Sequence, residues 1–79
     1  MSKKFSTFDL GLATTLLTLN YELIELEKTN PKKTRFVFKE SGDINQTINH
    51  YWNNEITVSA LSFFNNLKTL KNRLYSDNG

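Results

Sequence analysis

The most strongly periodic stretch of the sequence is SALSFFNNLKTLKNRLY, residues 59–75. If successive side chains are placed about 100° apart, as in a helix, its apolar and polar residues separate onto opposite faces. Thr57 or Ser59 can cap the first turn, because a hydroxyl oxygen accepts a hydrogen bond from a free backbone N–H. The stretch predicts a long amphipathic helix around which the rest of the chain is organised. Its apolar face consists of Ala60, Phe63, Phe64, Leu67, Leu70 and Leu74.

Two shorter runs upstream alternate between apolar and polar residues, as β-strands do. They are YELIELEK, residues 21–28, and KTRFVFKE, residues 33–40. We expect Ile24 and Leu26 to face the core from the first strand, and Phe36 and Phe38 from the second. The intervening TNPK, residues 29–32, is typical of a tight turn. The two runs are therefore predicted to form an antiparallel hairpin, with the long helix covering its phenylalanines.

The N-terminal part of the chain predicts another helix. Ser6 and Asp9 resemble a capping box, which places the start of this helix at Ser6 and its end near Leu19. Asn20 can then end the helix in the left-handed conformation. A neutral stripe along one side allows another backbone to approach closely, either within the domain or across a dimer interface. The stripe consists of Gly11, Thr14, Thr15 and Thr18.

A third helix is predicted after the second strand, with Ser41 or Asp43 as its cap. Its inner side is formed by Ile44, Ile48 and Tyr51, with Trp52 at the margin. These elements predict a single small α+β domain over residues 1–79, with an ordered core from about residue 5 to about residue 75. The predicted order is (β)αββαα, in which a two- or three-stranded antiparallel sheet packs against helices.

The composition excludes several kinds of site. The sequence has no Cys and one His, which rules out disulfides, thiolate metal sites and multi-histidine metal sites. Its three glycines form no phosphate-binding loop, and His50 lies beside no evident carboxylate partner. We therefore expect neither an enzyme nor a cofactor. No apolar run is long enough to cross a membrane and no signal-peptide core is present, so a cytoplasmic protein without a membrane partner is expected.

The basic residues form two groups, one at the hairpin tip and one along the last helix. The net charge is only +2, but grouped Lys and Arg side chains can contact phosphates, and an exposed aromatic ring can stack on a base. Lys71 lies at the border of the apolar face, where either its stem packs on the core or its cation stands at the mouth of a groove. The candidate nucleic-acid-binding residues are Lys28, Lys32, Lys33, Arg35, Lys68, Lys71, Arg73 and Trp52.

Four short motifs in a fixed order resemble a family of small bacterial and phage proteins that is defined only as a domain of unknown function. The motifs are FSTFDL at residues 5–10, FVF at 36–38, YWN at 51–53 and LKNRLY at 70–75. The resemblance extends from about Lys4 to Tyr75. It implies a stand-alone domain, carried on mobile elements, and it transfers no activity to this chain.

Two functions remain open at this point. The first is nucleic-acid binding, or an accessory role to it in a bacterial or mobile-element system, through the two basic groups. The second is a protein–protein interaction module, either a homodimer or an adaptor or inhibitor of another protein. The second is favoured by the small core, the Gly/Thr stripe, the sheet edges and the marginal position of Trp52. Nucleic-acid binding would be favoured if the two basic groups lay on one face of the domain.

Overall fold

The structure is a computed structural model that describes residues 3–30 and 33–76. Within these residues it contains three strands and three helices in the predicted order, and the optional first strand is present. The elements are β1 (Lys4–Thr7), α1 (Leu10–Thr18), β2 (Leu23–Asn30), β3 (Lys33–Lys39), α2 (Ile44–Trp52) and α3 (Ala60–Ser76). The predicted α+β class and the long C-terminal helix are confirmed.

β3 is the central strand of an antiparallel sheet with strand order β1-β3-β2. Phe36 and Phe38 face the side of the sheet that the helices cover, and both are buried, as the alternation of β3 predicts. The core joins them to residues from all three helices. It consists of Leu12, Ala13, Leu16, Phe36, Phe38, Ile44 and Leu70. The predicted hairpin of β2 and β3 is confirmed, whereas positions 31–32 of its turn lie outside the described residues.

The prediction that Ile24 faces the core is wrong. Leu23 pairs with Phe38, but the next paired residue of β2 is Glu25, so Ile24 is an extra residue in the ladder. Such a bulge interrupts the alternation of side chains at one point of a strand. As a result Leu23 packs against the core, while Ile24 is 40% exposed.

α1 begins later than predicted, and the prediction that Ser6 caps it is wrong. Ser6 lies in β1, opposite Val37, because pairing with β3 takes up the backbone of residues 4–7. Asp9 is the N-cap instead, since its Oδ1 accepts a hydrogen bond from the Leu12 N–H at 3.0 Å. Asp9 therefore does cap the helix, but as the N-cap itself and not as the third helical residue of a capping box that begins at Ser6.

α1 and α2 end in the same way, on an asparagine in the left-handed conformation. The φ angle is 73° at Asn20, as predicted, and 64° at Asn54. The Asn20 N–H donates to the Leu17 carbonyl at 3.0 Å. The next N–H, that of Tyr21, donates to the Leu16 carbonyl at 3.0 Å. This pair of bonds is a Schellman motif, which satisfies carbonyls that the end of a helix leaves free.

α3 lies along α1 and sends only its C-terminal half into the core. Leu70 is fully buried and Leu74 packs against the core, but Phe64 is 55% exposed. The prediction that the whole apolar face covers Phe36 and Phe38 is therefore wrong for its first half. The Lys28 ammonium donates to the Leu74 carbonyl at 3.0 Å, which ties β2 to the negative end of the α3 dipole.

We expect Asn20→Ala to lower the free energy of unfolding by about 1 kcal/mol, because a Cβ makes the left-handed conformation unfavourable. Asn20→Gly should leave this free energy unchanged or slightly higher, since glycine adopts that conformation freely. Chemical denaturation followed by circular dichroism measures both. Equal destabilisation by the two substitutions would contradict the backbone explanation.

Candidate functional site

A groove of about 910 Å³ lies between the end of α2, the first half of α3 and the segment 53–59 that joins them. Most of its lining is apolar. The lining residues are Thr15, Tyr51, Trp52, Asn54, Ile56, Val58, Ala60, Phe63, Phe64 and Leu67. The part of the α3 apolar face that does not reach the core thus forms one wall of this groove.

The segment that joins α2 to α3 supplies two further apolar side chains. After the left-handed turn at Asn54 the chain leaves α2, and Ile56 and Val58 follow as half-buried lining residues. Ser59 then caps α3, since its Oγ accepts a hydrogen bond from the Ser62 N–H at 3.3 Å. Capping by Ser59, one of the two predicted alternatives, is confirmed.

The Gly/Thr stripe of α1 packs against the rest of the domain. Thr14 and Thr15 are buried, and the three threonine hydroxyls donate to carbonyls one turn earlier at 2.7–2.9 Å. Because these hydroxyls are satisfied, another helix can approach the stripe closely. The Asn66 Nδ2 of α3 donates to the Thr18 Oγ1 at 3.0 Å. The intramolecular alternative for the stripe is therefore confirmed.

Tyr51 connects α1 to the groove. A Cβ at Gly11 would lie 2.8 Å from the Tyr51 Oη and 3.2 Å from the Asp9 Oδ1, so only glycine fits there without a shift. The Trp52 ring packs edge-on against Tyr51, with the ring centroids 4.9 Å apart. Burial, and to a smaller extent the charge of Asp9, raises the pKa of Tyr51 above its usual value. Tyr51 is a neutral side chain fixed between α1 and Trp52.

Large apolar side chains around the groove remain in contact with water. Trp52 is 61% exposed and Phe64 is 55% exposed. Leu61, one turn before Phe64 on α3, is 69% exposed. The Lys68 ammonium stands 5.5 Å from the centroid of the Phe64 ring. The rim is therefore apolar and aromatic, with one cation over one ring.

The candidate basic residues do not share one surface. Arg35 alternates with the inward phenylalanines of β3, so it lies on the sheet face opposite the helices. There Lys33 and Arg35 approach the Phe8 ring, at 5.7 and 5.2 Å from its centroid. Arg35 also pairs with Glu27 at 3.5 Å, which offsets its charge. Lys32 lies outside the described residues.

The other candidate residues lie on α3 or beside it. Lys28 reaches the end of α3, where its ammonium donates to the Leu74 carbonyl. Lys68 stands at the groove, whereas Lys71 and Arg73 are exposed and point about 160° apart around the helix axis. Lys71 does not line the groove, but Trp52 does. The predicted basic residues are thus divided between the two sides of the sheet.

The expectation that His50 has no carboxylate neighbour is wrong. Its Nδ1 lies 2.8 Å from the Glu55 Oε1, across the turn that ends α2, and both side chains are exposed. Within residues 3–30 and 33–76, no group of three or more His, Asp or Glu side chains could hold a metal ion. In the same part of the chain, no helix combines the length and apolarity needed to cross a bilayer. What the groove offers chemically is apolar contact.

The position of the Tyr51 Oη beside Gly11 predicts that substitutions at these two residues have coupled effects on stability. Gly11→Ala should gain up to about 1 kcal/mol because alanine is more favourable than glycine inside a helix, but with Tyr51 present the new Cβ clashes with the Tyr51 Oη, which offsets this gain. In a Tyr51→Phe background part of the clash disappears. A double-mutant cycle measured by chemical denaturation should give a coupling free energy of at least about 0.5 kcal/mol. Additive effects would contradict the contact.

Comparison with known proteins identifies the family. No curated protein and no solved structure matches the chain. The family model described as "Domain of unknown function (DUF5659)" matches residues 2–76. The resemblance of the sequence motifs to a domain of unknown function is thus confirmed. The chain belongs to the DUF5659 family.

Proposed function

We propose that the protein is a protein–protein interaction module that binds its partner through the groove between α2 and α3. The observation that supports this proposal is the apolar lining of the groove, flanked by Trp52 and Phe64, each more than half exposed. Single exposed apolar residues are normal on a protein surface, but grouped ones are typical of interaction sites.

Burial of the exposed rings at this surface would favour binding. Complete burial of a large apolar side chain contributes about 1.5–3 kcal/mol, and burial of the exposed parts of Trp52 and Phe64 would contribute roughly half of that for each. Aromatic residues, tryptophan above all, are typical hot spots of interfaces. Trp52 already packs against the fixed ring of Tyr51, which reduces the conformational freedom that it would lose on binding.

The charges near the groove are few and of both signs. Lys68 stands over Phe64, while Glu55 and His50 form a pair on the other side, at the end of α2. A partner with an apolar surface fits this environment better than one with a high charge of either sign. Shape and apolar contact are therefore the proposed basis of recognition.

Nucleic-acid binding is a second proposal, and one contact favours it. Lys68 lies over the Phe64 ring, and the Trp52 ring is exposed at the same groove, which is the combination that single-strand-binding proteins use. The location of Lys33 and Arg35 on the opposite face of the sheet counts against it, because a backbone in the groove would not reach them. In this proposal the protein assists nucleic-acid transactions of a bacterial or mobile-element system.

The interaction proposal predicts that Phe64→Glu strongly reduces partner capture. The tagged chain is expressed in cells that naturally encode it and captured after nuclease treatment. A carboxylate at position 64 would have to give up its hydration on binding, even beside Lys68, so recovery of the bound protein should fall at least tenfold, or about 1.4 kcal/mol. Thr69→Glu is the matched control, because it adds the same charge to an exposed position of α3, about 140° around the helix from Phe64.

The three possible results separate the two proposals. A nuclease-resistant protein that Phe64→Glu loses and Thr69→Glu retains supports the interaction module. Capture that disappears with nuclease favours nucleic-acid binding instead. Equal recovery of proteins by both variants would contradict a function for the groove.

A further inference from the structure

We propose that the partner in the groove is a second copy of the chain, so that the protein forms a homodimer with two-fold symmetry. This inference rests on the proposed function, because it names the occupant of the same groove. Surface area, shape and charge each support it.

The isolated chain exposes more surface than a folded chain of its mass usually does. Its accessible surface is 5515 Å², whereas a folded monomer of this mass exposes roughly 4,900 Å². The excess is consistent with the flat shape of the molecule, which measures 36 × 35 × 18 Å. Two copies that each cover roughly 600 Å² would bury roughly 1,200 Å² in total, the lower end of specific interfaces. A dimer with an interface of that size would be weak and would depend on concentration.

The surface around the groove combines a recess with projecting side chains. Ile56, Val58 and Phe63 line the recess, while Phe64 and Trp52 are exposed beside it. A two-fold axis brings the same patch of both copies together, so a symmetric interface must be complementary to itself. A patch that contains both a recess and rings of suitable size meets this requirement, because each copy can place a ring in the recess of the other.

The charges of this surface do not oppose self-association. The net charge of the chain is only +2, which keeps repulsion between two copies small. Lys68 lies on the α3 side of the groove, and Glu55 lies between two lining residues on the other side. A two-fold axis through the groove can therefore bring Lys68 of one copy towards Glu55 of the partner subunit.

Trp52 provides a direct probe, because it is the only tryptophan of the sequence. Its emission wavelength and the weight-average mass from sedimentation are measured together from about 1 µM to about 1 mM, a range that covers weak dimers. As the mass rises from 9.2 kDa towards twice that value, the emission should move to shorter wavelengths. Phe64→Glu should raise the dimer Kd at least tenfold and keep the long-wavelength emission.

Thr69→Glu is again the matched control and should dimerise like the wild type. Far-UV circular dichroism verifies that both variants are folded. A wild-type chain that stays monomeric over the whole range, with unshifted Trp52 emission, would overturn the inference. So would a dimer that Phe64→Glu leaves intact, because that dimer would use another surface.

The homodimer and the more general interaction module can be disproved separately. If the wild type is monomeric but captures a different protein in a way that depends on Phe64, only the homodimer is wrong. If capture does not depend on Phe64 and the chain does not dimerise through the groove, the proposed function fails as well.

Discussion

The small core limits how much of α3 the domain can bury. α3 has 17 residues, which makes it about 25 Å long at 1.5 Å per residue. Leu70 enters the core with Phe36 and Phe38, and the bond from Lys28 to the Leu74 carbonyl fixes the C-terminal end of the helix against β2. With this end fixed, the first half of the helix extends past the core. Its apolar face is continuous in the sequence, but the fold covers only part of it.

The groove follows from that geometry. The Schellman motif at Asn54 ends α2, and the joining segment turns back to α3 with Ile56 and Val58 along its inner side. Phe63 and Phe64 then line this recess, and Phe64 remains 55% exposed. Leaving the Phe64 ring about half exposed forgoes about half of the 1.5–3 kcal/mol that full burial contributes, a loss that is typical of surfaces that bind a partner.

Local sequence patterns predicted the order of the elements, the hairpin, the long helix and the inward phenylalanines of β3, because these depend on periodicity within one segment. The errors at Ile24 and Ser6 have a common cause: both residues are placed by pairing with β3, which no local pattern reports. Trp52 was predicted at the margin of a helix and lies at the groove. The groove itself was not predicted. The segment 53–59 has no periodicity, and the length of α3 does not show which part of its apolar face the rest of the domain buries. The face of the sheet that carries Lys33 likewise depends on tertiary packing.

The central claim is that the two halves of the α3 apolar face have different roles, the second in stability and the first in binding. The stability of two truncations, measured by chemical denaturation at a low protein concentration at which dimers dissociate, tests it most directly. Leu70 is fully buried, so Leu70→Ala should lower the free energy of unfolding by about 2–5 kcal/mol. Phe64 is more than half exposed, so Phe64→Ala should lower it by less than about 1 kcal/mol. A loss at Phe64 as large as the loss at Leu70 would mean that the first half of α3 belongs to the core, and would contradict the account.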